Sequence, residues 1–104
     1  NSSYIKGNYA MTIDTLNELM NSGRADHLDK LYLGISYLFT DEPIKAISVL
    51  EDCLESSVDK ETQWYLALAY LIIEKEEGKV ILEEIVAKRS YHHKRAEILL
   101  LEME

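Results

Sequence analysis

Three groups of side chains in this 104-residue chain are of types that do chemistry. The first is the run Tyr91-His92-His93-Lys94-Arg95, which with Lys88 and Arg89 forms the one basic cluster in the sequence. Such a cluster can hold a phosphate, a lipid headgroup or an acidic partner. Its plainer use is a solvated turn whose cations complement the C-terminus of the preceding helix. Neighbouring residues on a helix point about 100° apart, so His92 and His93 are poor joint metal ligands. No Cys, Asp or Glu stands at a helpful spacing, and His27 is distant in sequence. No metal site is expected.

The second group is Cys53 alone. A nucleophilic thiolate needs an exposed, electropositive setting. Glu51, Asp52 and Glu55 surround Cys53 in sequence, so it reads as a core residue. The third group is acidic: Glu83-Glu84, and Glu74 with Glu76-Glu77. General acid–base catalysis needs two carboxylates held across a cleft in different environments, whereas these read as helix-surface acids. Trp64 can serve as a stacking platform, although packing is its commoner use. The sequence carries no phosphate-cradling Gly loop and no Ser/His/Asp pattern. Neither a catalytic residue nor a cofactor is expected, and the chain does not read as an enzyme.

The elements that position these residues follow from composition. The chain is long enough for one domain with a modest core. One Pro and four Gly, against many Leu, Glu, Ile, Ala and Lys, favour helix throughout. A formal net charge of −8 repels phosphate backbones, which argues against nucleic acid as a partner. The longest mainly apolar stretch, Trp64 to Ile73, is about half of a membrane span. With a single cysteine no intramolecular disulfide can form, so redox surroundings leave no mark. The chain starts at Asn1 rather than Met, as expected of a processed product or an excised piece.

Capping residues predict the helices. Asp26 caps one running to about Phe39. Thr40-Asp41-Glu42-Pro43 ends it and opens the next, with Pro43 in the first turn, and that helix runs to about Glu55. Asp59 caps a helix to about Ile73, and a tight polar turn covers Glu74 to Glu77. Gly78 to Ala87 belongs to a further helix ending in Lys88-Arg89. Ser90 caps the last, to about Met103. Upstream, Asn8 to Met20 is amphipathic through Ile13, Leu16, Leu19 and Met20, and Gly23 suits its stop. Residues 1–7 read as the end of a helix whose start is missing. Turns this short predict antiparallel hairpins.

The sequence also repeats itself. Leu31 to Leu38 reads LYLGISYL, and Trp64 to Leu71, 33 residues later, reads WYLALAYL. Val49-Leu50-Glu51-Asp52 and Ile81-Leu82-Glu83-Glu84 match at an offset of 32. A period in this range marks stacked helical hairpins. Gly34, Ala67, Ala46 and Gly78 are small where two helices must approach closely, and Tyr37 and Tyr70 are bulky where a turn must be filled.

On these residues the chain resembles the tetratricopeptide repeat family. Leu33-Gly34 with Tyr37, then Ala46, Leu50 and Cys53, match one unit. Leu66-Ala67 with Tyr70, then Gly78, Leu82 and Ile85, match a second. Gly7-Asn8-Tyr9, Thr12-Ile13, Leu16 and Leu19 resemble the turn and second helix of a third. Lys30 and Gln63 stand where the family has a large residue, with Leu31 and Trp64 one position later. The unit-ending Pro is absent at Val58 and Arg89.

The resemblance implies an all-α, right-handed superhelical stack of antiparallel hairpins in a single domain. It comprises a partial unit at 4–22, units at 26–56 and 59–88, and a closing helix at 91–103. The combination also resembles helical-repeat domains of Bacteroidetes-type bacterial proteins that follow a membrane-spanning helix. That implies a periplasmic setting, with a cytoplasmic one as the alternative.

In such stacks the first helices line a concave groove. Here the groove residues are predicted to be Leu31, Ile35, Leu38 and Phe39, then Trp64, Leu68, Leu71 and Ile72, an i, i+4, i+7, i+8 stripe in both helices. Exposed, it is a larger apolar patch than monomers normally carry. Its cover is a partner segment, an upstream part of the chain, the closing helix or a second copy, unless the stack buries its own stripe. Family members that clamp acidic tails use Lys, Arg and Asn in the groove. This groove has none, so an acidic tail does not fit. The expected function is a non-catalytic protein–protein interaction module for an apolar or amphipathic segment. Self-association, and a regulatory domain of a membrane-anchored protein, are the alternatives.

Overall fold

The structure, a computed structural model, describes the backbone of residues 2–104 and the side chains of residues 8–104. Asn1, and with it the chain start noted above, lies outside the described residues. Six helices follow one another, and no strand occurs among the described residues: α1 (Ser2–Asn21), α2 (His27–Phe39), α3 (Pro43–Glu51), α4 (Asp59–Ile72), α5 (Glu76–Ala87) and α6 (His93–Glu102).

Several predicted ends are where the residues place them. Asp26 caps α2 reciprocally: its side chain accepts from the Asp29 N–H at 2.9 Å, and the Asp29 side chain accepts from the Asp26 N–H at 3.0 Å. That is a capping box with Asp in place of the usual Glu. Pro43 is the first residue of α3, where its missing N–H leaves no gap.

Other ends differ. The expected break at Gly7 is absent, and α1 runs unbroken for 20 residues; a lone Gly costs about 1 kcal/mol in a helix and does not by itself end one. Helix α3 stops at Glu51, not Glu55, because the chain passes into successive tight turns through Ser56. Those turns deliver the chain into α4 without an extended residue, so Asp59 lies inside the helix and Val58 takes the cap position with no side-chain bond. Helix α5 starts at Glu76, ahead of Gly78. Ser90 does not cap α6: its carbonyl accepts the His93 N–H at 3.0 Å, and the helix starts at His93.

Four helices end in the same backbone device. At the ends of α1, α2, α4 and α5 the N–H two residues past the cap reaches back to a carbonyl five residues earlier: Arg24 to Leu19, Glu42 to Tyr37, Lys75 to Tyr70, and Ser90 to Ile85. The N–H between closes a shorter bond, as from Glu74 to Leu71. This Schellman arrangement needs a left-handed residue, for which Gly is the easiest choice. Only α1 uses Gly, at Gly23 (φ 72°); α2, α4 and α5 use Asp41 (61°), Glu74 (59°) and Arg89 (51°).

Each helix packs on the next, and α2 also touches α4. The molecule measures 40 × 32 × 20 Å, so it is two helices thick. Gly34 and Gly78 mark close approaches. A Cβ on Gly34 would lie 2.5 Å from Leu50 Cδ2, and one on Gly78 would lie 2.9 Å from Leu71 Cδ2. The core has two clusters. One joins Leu31, Ala46, Leu50 and Leu66 of α2, α3 and α4. The other joins Trp64, Ala67, Leu82, Ile85 and Ala96 of α4, α5 and α6. Helix α4 feeds both. Helix α1 is joined to α2 by a bond from Asn17 Nδ2 to the Tyr37 hydroxyl (3.1 Å) and by a stack of Tyr9 on Phe39, 5.1 Å between centroids.

Candidate functional site

The structure divides the eight residues predicted to line one groove. Leu31 and Trp64 are buried, one in each core cluster. Leu38 packs half-buried on the α2–α3–α4 cluster, and Leu71 packs over Gly78 of α5. Ile35 and Leu68 are half-buried at the cluster edges. Only Phe39 and Ile72 stand exposed, at 53% and 58%. The stripe is therefore not one open surface, and Leu31, Trp64, Leu38 and Leu71 serve packing.

The open face is the same stripe turned partway round the helix. At about 100° per residue, Leu28, Tyr32, Ile35 and Phe39 fall within roughly 60° of one another on α2. Leu28 and Tyr32, which sequence reasoning missed, are exposed at 46% and 53%. Between Lys30 and Thr40 the exposed side chains are Tyr32 and Phe39; between Glu61 and Ile73 the exposed side chain is Ile72. Thus the exposed side chains over these stretches are apolar or aromatic, with Phe39 and Ile72 at the C-terminal ends of α2 and α4. The signal was available: Tyr32 precedes Phe39 by seven residues, a helical neighbour spacing.

A shallow cleft of about 300 Å³ continues this face between α4 and α6. Trp64, Leu68, Ile98 and Leu99 line it, and Arg95 and Glu102 flank it. Ile98 and Leu101 are strongly exposed on α6.

The basic run is not simply a solvated turn. His92 is buried, its ring stacked on Trp64 at 5.1 Å and 14°. Its Nε2 lies 3.0 Å from both Glu61 carboxylate oxygens. The exposed Tyr91 ring meets it edge-on at 4.9 Å. This cluster fastens the start of α6 to the start of α4. Nothing local marks His92 for burial, because its partners come from residues about thirty positions upstream.

Cys53 is fully buried, and its thiol lies 3.5 Å from the His27 carbonyl oxygen. Burial raises its pKa above the ordinary 9.0, against smaller opposing effects from the Lys30 charge and a Thr62 hydrogen bond. A thiol held protonated in the core is a poor nucleophile. No group of three or more His, Cys, Asp or Glu among the described residues can hold a metal ion. No described helix is long and apolar enough to cross a membrane.

A second cleft, of about 370 Å³, lies among α3, α4 and α5. Its floor is Leu54, Leu66, Val80 and Ile81. Glu51, Glu76 and Glu77 stand on its rim, and Tyr70 lies between floor and rim with its hydroxyl 3.0 Å from Glu51 Oε1. The acids at 74–77 were read as surface residues of one turn; pairing two of them with Glu51 required the fold.

No family model, curated protein or solved structure matches the chain.

Proposed function

We propose that the chain is a non-catalytic protein–protein interaction module. Its two hairpins, α2 with α3 and α4 with α5, are read as tetratricopeptide-like units in a right-handed stack. The periods of 33 and 32 in sequence and the close approaches at Gly34 and Gly78 support that reading. The binding surface is the exposed face of the first helices, Tyr32 and Phe39 of α2 and Ile72 of α4, extended by Ile98 of α6.

One observation carries the proposal. Between Lys30 and Thr40 and between Glu61 and Ile73 the exposed side chains are Tyr32, Phe39 and Ile72, all apolar or aromatic, where a helix facing only water carries charged groups. Burying one large apolar side chain on association is worth roughly 1.5–3 kcal/mol, so a few such anchors hold a partner segment. The partner offers an apolar or amphipathic helix or extended strand.

Selection of a displayed peptide library on the purified chain tests this. The expected result is enrichment of peptides with apolar anchors at helical or alternating spacing, with binding lost in a Phe39→Glu/Ile72→Glu variant of unchanged circular dichroism. Peptides that bind the variant equally well overturn the assignment. Sedimentation of the chain alone tests the self-association alternative: a dimer that the same two substitutions dissociate makes a second copy the occupant.

A further inference from the structure

We propose that the cleft among α3, α4 and α5 docks a basic, apolar-faced segment of a partner protein. An aliphatic or aromatic side chain of that segment covers Leu54, Val80 and Ile81, and a lysine or arginine sits between Glu51 and Glu77. This site is separate from the α2–α4 face: on α4, Leu66 and Tyr70 point roughly opposite to Leu68 and Ile72 at about 100° per residue.

Shape and charge point to that occupant together. The floor is apolar and open, with Val80 and Leu54 exposed. The rim carries three carboxylates and no lysine or arginine. None of the three is in a recorded ion pair with a described residue. Glu76 and Glu77 occupy the first turn of α5, where acids complement the helix dipole. Glu51 has no such reason: it is the last residue of α3, where a negative charge opposes the dipole. Its Oε1 accepts the hydroxyl of Tyr70 beside the cleft that Glu51 helps to line. Charges of Glu51 and Glu77 both act on that hydroxyl, so the two carboxylates share one field across the cleft. An acidic segment is repelled here, and a purely apolar one leaves the carboxylates without partners.

The experiment is a titration of the ¹⁵N-labelled chain with a short synthetic Leu/Lys amphipathic helix and with its Leu/Glu counterpart. The expected result is shifts of the amides around Leu54, Tyr70, Val80 and Ile81 with the Lys peptide and not with the Glu peptide, weakening with salt, whereas any shifts around Phe39 and Ile72 should arise with both peptides. Glu51→Gln/Glu77→Gln should lower the affinity about tenfold, from two partly desolvated charge pairs. Gln at 51 still accepts from Tyr70, so the fold is kept. A Glu83→Gln/Glu84→Gln variant removes the same charge elsewhere on α5 and should leave the affinity unchanged. Equal loss in both variants, equal shifts of the cleft amides with the Glu peptide, or no shift of the cleft amides with the Lys peptide overturns the proposal. The Phe39→Glu/Ile72→Glu variant should keep the cleft shifts with the Lys peptide, which separates this site from the apolar face.

Discussion

Tyr70 of α4 donates its hydroxyl to Glu51 of α3 at 3.0 Å, and the same bridge recurs one hairpin earlier between Tyr37 of α2 and Asn17 of α1 at 3.1 Å. The tyrosines are 33 residues apart and their partners 34. Helix α1 thus meets α2 as α3 meets α4, and at that offset Ile13 and Leu16 of α1 match Ile47 and Leu50 of α3. The bridge differs in polarity. Asn17 donates to Tyr37, whereas Glu51 accepts from Tyr70.

Replacing either tyrosine by Phe removes one hydrogen bond and should cost about 0.5–1.5 kcal/mol in urea unfolding. The Tyr70 variant should differ in its pH dependence. Burial first, then the bond to Glu51 and the charges of Glu51 and Glu77, raise Tyr70 above the ordinary value of 10.0. A raised folded pKa gives stability that is present below the ordinary value and is lost as pH rises through the folded value. Tyr70→Phe should remove that alkaline loss, and Tyr37→Phe should keep it.

Gly34→Ala should destabilise the chain by about 1–3 kcal/mol, because overpacking a filled core outweighs the gain in helix propensity. The new methyl meets Leu50, which has no exposed surface and nowhere to go. A double-mutant cycle with Leu50→Ala checks the cause. The combined cost should fall short of the sum of the two single costs.

Much of this was legible from residue type. Gly34 and Gly78 announced close contacts, Asp26 a cap, and Pro43 a first turn, because each acts within a few residues of itself. The left-handed turns at Glu74 and Arg89 were not legible, since neither side chain favours positive φ, and Asp41 gave only the weak signal that any Asp gives. The open face was missed by a fraction of a helical turn: Leu31 and Tyr32 are neighbours, and only packing against α3 and α4 decides which is buried. His92 was misread for the same reason, as its partners lie on another helix.

Glu74→Gly should stabilise the chain by about 0.5–1 kcal/mol, since Gly adopts the left-handed turn without the penalty a side chain carries. Urea midpoints with unchanged slope would establish it. A loss of stability would mean that the Glu74 side chain makes a compensating contact.

His92→Ala should loosen α6 and expose Trp64. Trp64 is the sole tryptophan, so its fluorescence should shift to longer wavelength before the rest of the chain unfolds. His92→Phe keeps the stack and loses the Glu61 contact, and should give a smaller shift. Equal shifts would assign the effect to the carboxylate alone.

Asp26→Ala should flatten the acid limb of stability. Hydrogen bonds from the Asp29 N–H, foremost, hold Asp26 below the ordinary 3.8. A depressed folded pKa gives stability that is present above the ordinary value and is lost as pH falls through the folded value. The natural chain should therefore lose stability below about pH 4 more steeply than the variant. The Asp29 amide should also exchange faster in the variant.

Helix α4 supplies side chains to both core clusters, whereas α1 leans mainly on α2 and α6 mainly on α5. The two ends can therefore peel away singly while α4 cannot let go without dissolving both halves of the interior. In native-state hydrogen exchange the amides of α4 should be the last to open, and their opening energy should equal that of the whole molecule. A ligand seated among α3, α4 and α5 then raises the energy of the last opening while leaving the peeling of α1 and α6 as it was.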